Sequence, residues 1–111
     1  MEEYKDRLEV MFEKQQQLQD RLGTKPYMNQ EYINVMTLAA IDELMETLRE
    51  TPWKPWKKQQ EFNTENYKEE LVDLFHFYMN LCLAVGMKPE ELYERYCVKN
   101  KINFKRKDTG Y

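Results

Sequence analysis

The chain is poor in residues that interrupt helices. Three glycines and four prolines in 111 residues are too few to serve the many turns of a β-sandwich or barrel. They gather at a few places and leave long stretches whose apolar residues recur at helical period, so an all-α fold is expected. Cysteine is equally scarce: Cys82 and Cys97 supply neither a disulfide scaffold nor a thiolate metal framework. Their apolar or aromatic surroundings mark them as reduced packing residues. Basic charge is short as well, with a formal net charge of -3 and a pI near 5.3. Coating nucleic acid needs a strongly basic surface, so no nucleic-acid partner is expected and any polyanion must be bound locally. No apolar run reaches the ~20 residues that span a bilayer. The opening MEEYKDRLEV lacks the basic and apolar regions of a signal peptide. A cytoplasmic protein with no membrane partner is expected. No Ser/His/Asp or Cys/His nucleophile arrangement and no glycine-rich phosphate loop is seen.

What is present is a set of four helical segments in one domain spanning residues 1–111, with one modest core that a partner would complete. The first runs from about Glu3 to Leu22, with Leu8, Met11, Leu18 and Leu22 on one stripe, and is ended by Gly23 and Pro26. A second covers roughly Asn29 to Glu50 and carries Ile33, Met36, Ala40, Ile41, Leu44 and Leu48. Pro52 and Pro55 then hold PWKPWK extended. A third starts near Thr64, whose hydroxyl is placed to cap it, and runs to Gly86 as a left-handed stop. It is apolar around nearly its whole circumference, which calls for burial by its own domain plus a partner chain. A fourth begins at Lys88-Pro89-Glu90 and continues to about Lys105.

Acidic residues three apart occur five times: Glu3/Asp6, Asp6/Glu9, Glu43/Glu46, Glu70/Asp73 and Glu91/Glu94. Spacing alone therefore decides nothing. The outer pairs lie among other charges and read as solvated helix faces. Glu43/Glu46 and Glu70/Asp73 sit in the most apolar helical stretches, where carboxylates lose hydration, repel one another and require a cation or a proton. If their helices pack antiparallel, the four converge; hard oxygen ligands of this kind suit Mg²⁺ or Mn²⁺. The bland alternative is two exposed acidic faces on a helical hairpin.

Further polar residues interrupt apolar stripes. Gln15 and Gln19 continue the stripe of the first helix, where an amide must find partners, in a base edge of a ligand or in another amide or water. On the fourth helix Leu92, Tyr96, Lys99, Asn103 and Arg106 share a stripe that turns cationic, either as a phosphate-neutralising set or as ordinary solvated charge. PWKPWK places two indoles and its lysines beside the first acidic pair, so that an indole could stack on a base or plug the bundle end. His76 follows Asp73 by three and is either a support for a ligating carboxylate or a satisfied core histidine.

The runs AAIDELMETLRETPWKPWKK, EELVDLFHFYMNLCLAVGM and KNKINFKRKDTGY, in that order and over nearly the whole chain, resemble the dimeric all-α dUTPases within the MazG-like all-α nucleoside triphosphate pyrophosphohydrolases. That resemblance implies a four-to-five-helix bundle completed by homo-oligomerisation, and Mg²⁺-dependent cleavage of dUTP, and of dUDP, to dUMP. By motif it implies Glu43, Glu46, Glu70 and Asp73 as metal ligands, one of them orienting or deprotonating the attacking water. Trp56 would lie against uracil and Lys54 near the phosphates. Gln15 and Gln19 would face the base, although the family more often carries asparagine at the position of Gln19, which bears on base choice. Lys99, Asn103 and Arg106 would hold phosphates or sugar, and Asn80 and Tyr78 would wall the deoxyribose. The chain is shorter than many relatives, so helices that cover the site elsewhere are expected to be missing and a second subunit to supply those walls. Two rival readings follow: a pyrophosphohydrolase of the same superfamily acting on dCTP or a modified nucleotide, and a non-catalytic regulatory helical dimer.

Overall fold

The computed structural model describes residues 4–24 and 28–110. The expected start of the first helix at Glu3, its stop at Pro26 and the terminal Tyr111 lie outside them. Four helices follow in chain order, α1 (Arg7–Leu22), α2 (Gln30–Arg49), α3 (Thr64–Ala84) and α4 (Pro89–Asp108), with no strand among the described residues. The all-α expectation holds, and the boundaries have local causes. Asp6 caps α1 by accepting from the Glu9 N–H at 2.9 Å, and Asn29 caps α2 through the Tyr32 N–H at 3.0 Å. Asn63 caps α3, accepting from Asn66 N–H at 3.2 Å. Thr64 falls one position inside the helix, since asparagine is the stronger N-cap of the two. Gly23 and Gly86 take the left-handed conformation at φ 76° and 71°, which glycine adopts without a side-chain clash. Pro89 opens α4, whose last turn, with Lys105, Arg106 and Lys107, matches the negative end of the helix dipole and extends it to Asp108.

α2 and α3 form an antiparallel hairpin: Asn80 Nδ2 reaches Met36 Sδ at 3.4 Å, while Glu43 and Glu46 meet Glu70 nearer the loop. The loop is closed by Asn63 N–H on the Glu50 carbonyl at 2.9 Å. Within it Gln60 binds the backbone of Lys54 in both directions and the Lys57 carbonyl at 2.9 Å. α1 lies on α3 around a core of Phe12, Met79 and Cys82, flanked by Leu8, Phe75, Leu83, Met87 and Leu92. α4 turns away from α3 at a bend of 102° and packs along α1.

The buried face of α1 is Phe12, Gln15 and Gln19, whereas Met11, Leu18 and Leu22 of the expected stripe are exposed. The helix is rotated from its most apolar orientation because the two amides are the residues that have partners inside. α2 is turned in the same sense: Tyr32 and Thr47 are buried, Glu43 and Glu46 face inward half-buried, and Leu38, Ile41, Leu44, Met45 and Leu48 look outward. Among the described residues no helix alone is long and apolar enough to cross a membrane.

Candidate functional site

The site is built where α2 and α3 turn their carboxylates toward each other. One oxygen from each of Glu43, Glu46 and Glu70 lies within 4.8 Å of the other two. These three side chains are half-buried, and Oε2 of both Glu43 and Glu70 is shut off from solvent without a hydrogen-bond partner. Two carboxylates side by side have only acceptors to offer each other, so one of them must take up a proton or share a cation. Burial, followed by the neighbouring Glu70, Glu46 and Asp73, pushes the Glu43 carboxyl up to about 7. Three converging oxygen donors with two orphaned atoms fit a hard divalent cation such as Mg²⁺ or Mn²⁺. Asp73, one turn beyond Glu70, is exposed and stands outside that trio. It lines the adjoining cavity with Glu43.

That cavity, about 470 Å³, is lined by Gln15, Leu18, Gln19 and Leu22 of α1, Glu43 of α2, and Asp73, His76, Phe77 and Asn80 of α3. Its floor is polar and organised. Gln15 Nε2 donates to Asn80 Oδ1 at 2.8 Å, and Gln19 Oε1 accepts from the hydroxyls of Thr24 at 2.9 Å and Tyr32 at 3.3 Å. His76 Nδ1 stands 2.9 Å from the Val72 carbonyl. A carbonyl can only accept, so Nδ1 donates to it. Thr47 Oγ1 donates to the Glu43 carbonyl at 2.8 Å and is buried behind the acidic trio.

The structure thus brings together Glu43, Glu46, Glu70, Asp73, Gln15, Gln19 and Asn80. The other expected residues stand apart within one chain. Tyr78 is outside the lining and half-exposed, stacked on Phe75 at 6.1 Å. Two residues from Asn80 is a rotation of roughly 200° on a helix, so Phe77 takes the wall position instead. Trp56 is 71% exposed, edge-on to Trp53 at 5.7 Å, and Lys54 Nζ sits 5.9 Å from the Trp53 ring. Lys99, Asn103 and Arg106 are exposed on α4, which packs on α1 and not on the carboxylate helices. Tyr32 and Thr24 escaped the sequence reading, because a tyrosine at a helix start and a threonine after a glycine carry no periodic signal. Phe77, four residues after Asp73 and three before Asn80, shares their face of α3 by helical spacing.

Known proteins similar to this chain point to its family. The dCTP pyrophosphatase of Enterobacteria phage LZ5 is 33% identical over 143 aligned residues, covering 96% of this chain and 83% of that protein. An alignment longer than the chain itself means that the relative carries inserted residues within the matched span. The dCTP pyrophosphatase of Enterobacteria phage T4 is 41% identical over 71 residues, 53% of this chain and 42% of that protein. A T4 DNA replication protein is 38% identical over 61 residues, 44% of this chain and 16% of that protein. No solved structure matches. The dUTPase family model matches residues 7–88 and, in a second overlapping stretch, 78–111. Since these two stretches take in all four helices and every carboxylate of the site, the chain belongs to the dUTPase family, in an all-α form.

Proposed function

We propose that this protein is a divalent-cation-dependent pyrophosphohydrolase of pyrimidine deoxynucleoside triphosphates, with dCTP the favoured substrate and dCMP and pyrophosphate the products. The observation that carries the reading is the trio of Glu43, Glu46 and Glu70 oxygens within 4.8 Å, two of these side chains holding an orphaned buried oxygen, beside an amide-floored cavity. The names of the phage relatives support cytosine. The family match favours a second reading, dUTP.

Glu43, Glu46 and Glu70 would hold the cation, joined by Asp73 when substrate is present. Held there, Mg²⁺ would offset phosphate charge and polarise the α-phosphate. Around it the chain does the rest. Gln15 and Gln19 hold the base edge, Phe77 covers one side of it, and Asn80 supports Gln15 from below. Asp73, exposed at the mouth, orients water and takes its proton as the water oxygen bonds to the α-phosphorus. The bond from that phosphorus to the α–β bridging oxygen breaks, and pyrophosphate leaves with the bond's electron pair. Lys54, Lys99, Asn103 and Arg106 then stabilise the leaving group, and Trp56 stacks on the base. These groups are on the surface of a single chain, so they reach the nucleotide through closure of the loop and α4 or from a second copy in a homo-oligomer.

The test is a panel of dCTP, dUTP, dUDP, dTTP and purine triphosphates with pyrophosphate detection, with and without Mg²⁺. Pyrimidine-selective, Mg²⁺-dependent release is expected, lost in Glu46→Gln and in Asp73→Asn with the helical circular-dichroism spectrum unchanged. Full turnover in either folded variant rejects the assigned carboxylates.

A further inference from the structure

The C-terminal end of α1 carries hydrogen bonds that holding a base does not itself require. Gln19 is buried, yet its Oε1 is occupied twice from within the protein, by Thr24 at 2.9 Å and Tyr32 at 3.3 Å. Thr24 is held to Gln19 a second time, its N–H donating to the Gln19 carbonyl at 2.9 Å. The left-handed turn at Gly23 makes that return possible. Tyr32 approaches from the first turn of α2, fixed there by its own N–H on Asn29. The phenol is buried, burial pushes its pKa up so that it keeps its proton, and in this structure its O–H donates to Gln19 Oε1.

A glutamine amide has nearly the same shape either way round. Its two orientations differ in whether a donor or an acceptor is presented. With both hydroxyls on Oε1, the end of Gln19 left for the cavity is the Nε2 donor. One turn earlier Gln15 is fixed the other way, because its Nε2 is committed to Asn80 at 2.8 Å and its Oε1 remains. The floor therefore offers an acceptor and a donor side by side. Cytosine answers with N4–H and N3, and uracil with N3–H and O4, whereas adenine can answer only from a larger ring system.

We propose that Thr24 and Tyr32 are positioning residues that lock the orientation of the Gln19 amide and so determine which base edge the cavity accepts. Neither touches the base. The inference rests on the pyrimidine nucleotide reading for its consequence in turnover, and on the hydrogen bonds alone for the lock.

The experiment uses the full-length protein with Tyr32→Phe, Thr24→Val and the two combined, with Thr24→Ser as a variant that keeps the hydroxyl and Gln19→Glu as one that replaces the donor by an oxygen. Steady-state kinetics on dCTP, dUTP and dATP are expected to show KM for the preferred pyrimidine raised about tenfold in the combined variant, the loss of one well-aligned hydrogen bond, with kcat within about twofold and pyrimidine-over-purine preference reduced to match. Thr24→Ser should retain the wild-type preference, and Gln19→Glu should lose it with both hydroxyls in place. Unchanged preference in the folded combined variant, or an equal fall in kcat on all nucleotides, would overturn the lock. Should the wild type turn over no nucleotide, the enzymatic reading fails, and the lock is still decided by the Gln19 side-chain NH₂ resonances. These should be dispersed and protected from exchange in the wild type and averaged in the combined variant; identical signals in both would refute it.

Discussion

Glu43 concentrates the electrostatics of the site. Its carboxyl is pushed up from 4.5 to about 7, by burial first and then by Glu70, Glu46 and Asp73. Between those two values the folded protein binds a proton that the unfolded chain has released. Metal-free stability therefore falls as pH rises from about 4.5 through 7. A divalent cation held by these carboxylates would reverse the trend, since it would take the place of the proton. The Mg²⁺-induced rise in Tm should accordingly be larger at pH 7.5 than at pH 5.5, as measured by scanning calorimetry. Glu43→Gln should stabilise the metal-free protein by on the order of 1 kcal/mol, about 4 °C in Tm, while abolishing that Mg²⁺ response. A variant that loses stability in both states would contradict the crowded-carboxylate picture. These acids were legible in the sequence because a carboxylate among Leu, Val and Phe demands a compensating partner. Gln15 and Gln19 were legible for the same reason. Tyr78 was not placed correctly, since neighbouring aromatics at 75, 77 and 78 share one stretch of chain and only the packed helix shows which of them faces the cavity.

At the scale of the elements, each of the four helices could be read from period and punctuation, and their ends fall within a few residues of the caps that set them. Orientation about the helix axis was the hidden quantity. Hydrophobicity points Leu18 and Leu22 of α1 into a core, yet Gln15 and Gln19 are the buried residues, because the folded chain presents α1 to a polar cavity. The α1 terminus gives a sharp test. Gly23 sits at φ 76°, where a Cβ is disfavoured by roughly 1–2 kcal/mol even with open space around it. Gly23→Ala should lower Tm by about 4–8 °C and, by displacing Thr24, weaken pyrimidine selectivity; a loss of stability with selectivity intact would separate the turn from the lock. α4 makes the opposite case. Lys99 and Arg106 are exposed and distant from the carboxylates in one chain, so Lys99→Ala and Arg106→Ala should leave Tm within about 1 °C, as surface substitutions do. Each should raise KM for triphosphate severalfold if α4 serves the phosphates, and unchanged kinetics would remove α4 from the site.

The molecule as a whole leaves much of its apolar surface uncovered. Its radius of gyration is 17.6 Å, against about 13 Å for a close-packed domain of this length, and none of the described side chains is completely enclosed. Leu38, Ile41, Met45 and Leu48 form an outward apolar stripe on α2 at 65%, 53%, 39% and 36% exposure, the kind of contiguous face through which chains associate. A second copy covering this face fits the expectation of homo-oligomerisation. Ile41→Lys should then convert the assembly to monomer in sedimentation velocity and lower its thermal stability, and a wild type that sediments as a monomer would reject the idea. One loop has a practical consequence of a different kind. Trp53 and Trp56 are the only tryptophans in the chain, and they touch each other on the segment that Gln60 ties to the backbone between the two carboxylate helices. All of the indole emission of this protein therefore originates from a single stretch at the end of the hairpin. Its colour and intensity would report any closure of the loop over a ligand without a label, so the protein comes equipped with its own optical probe.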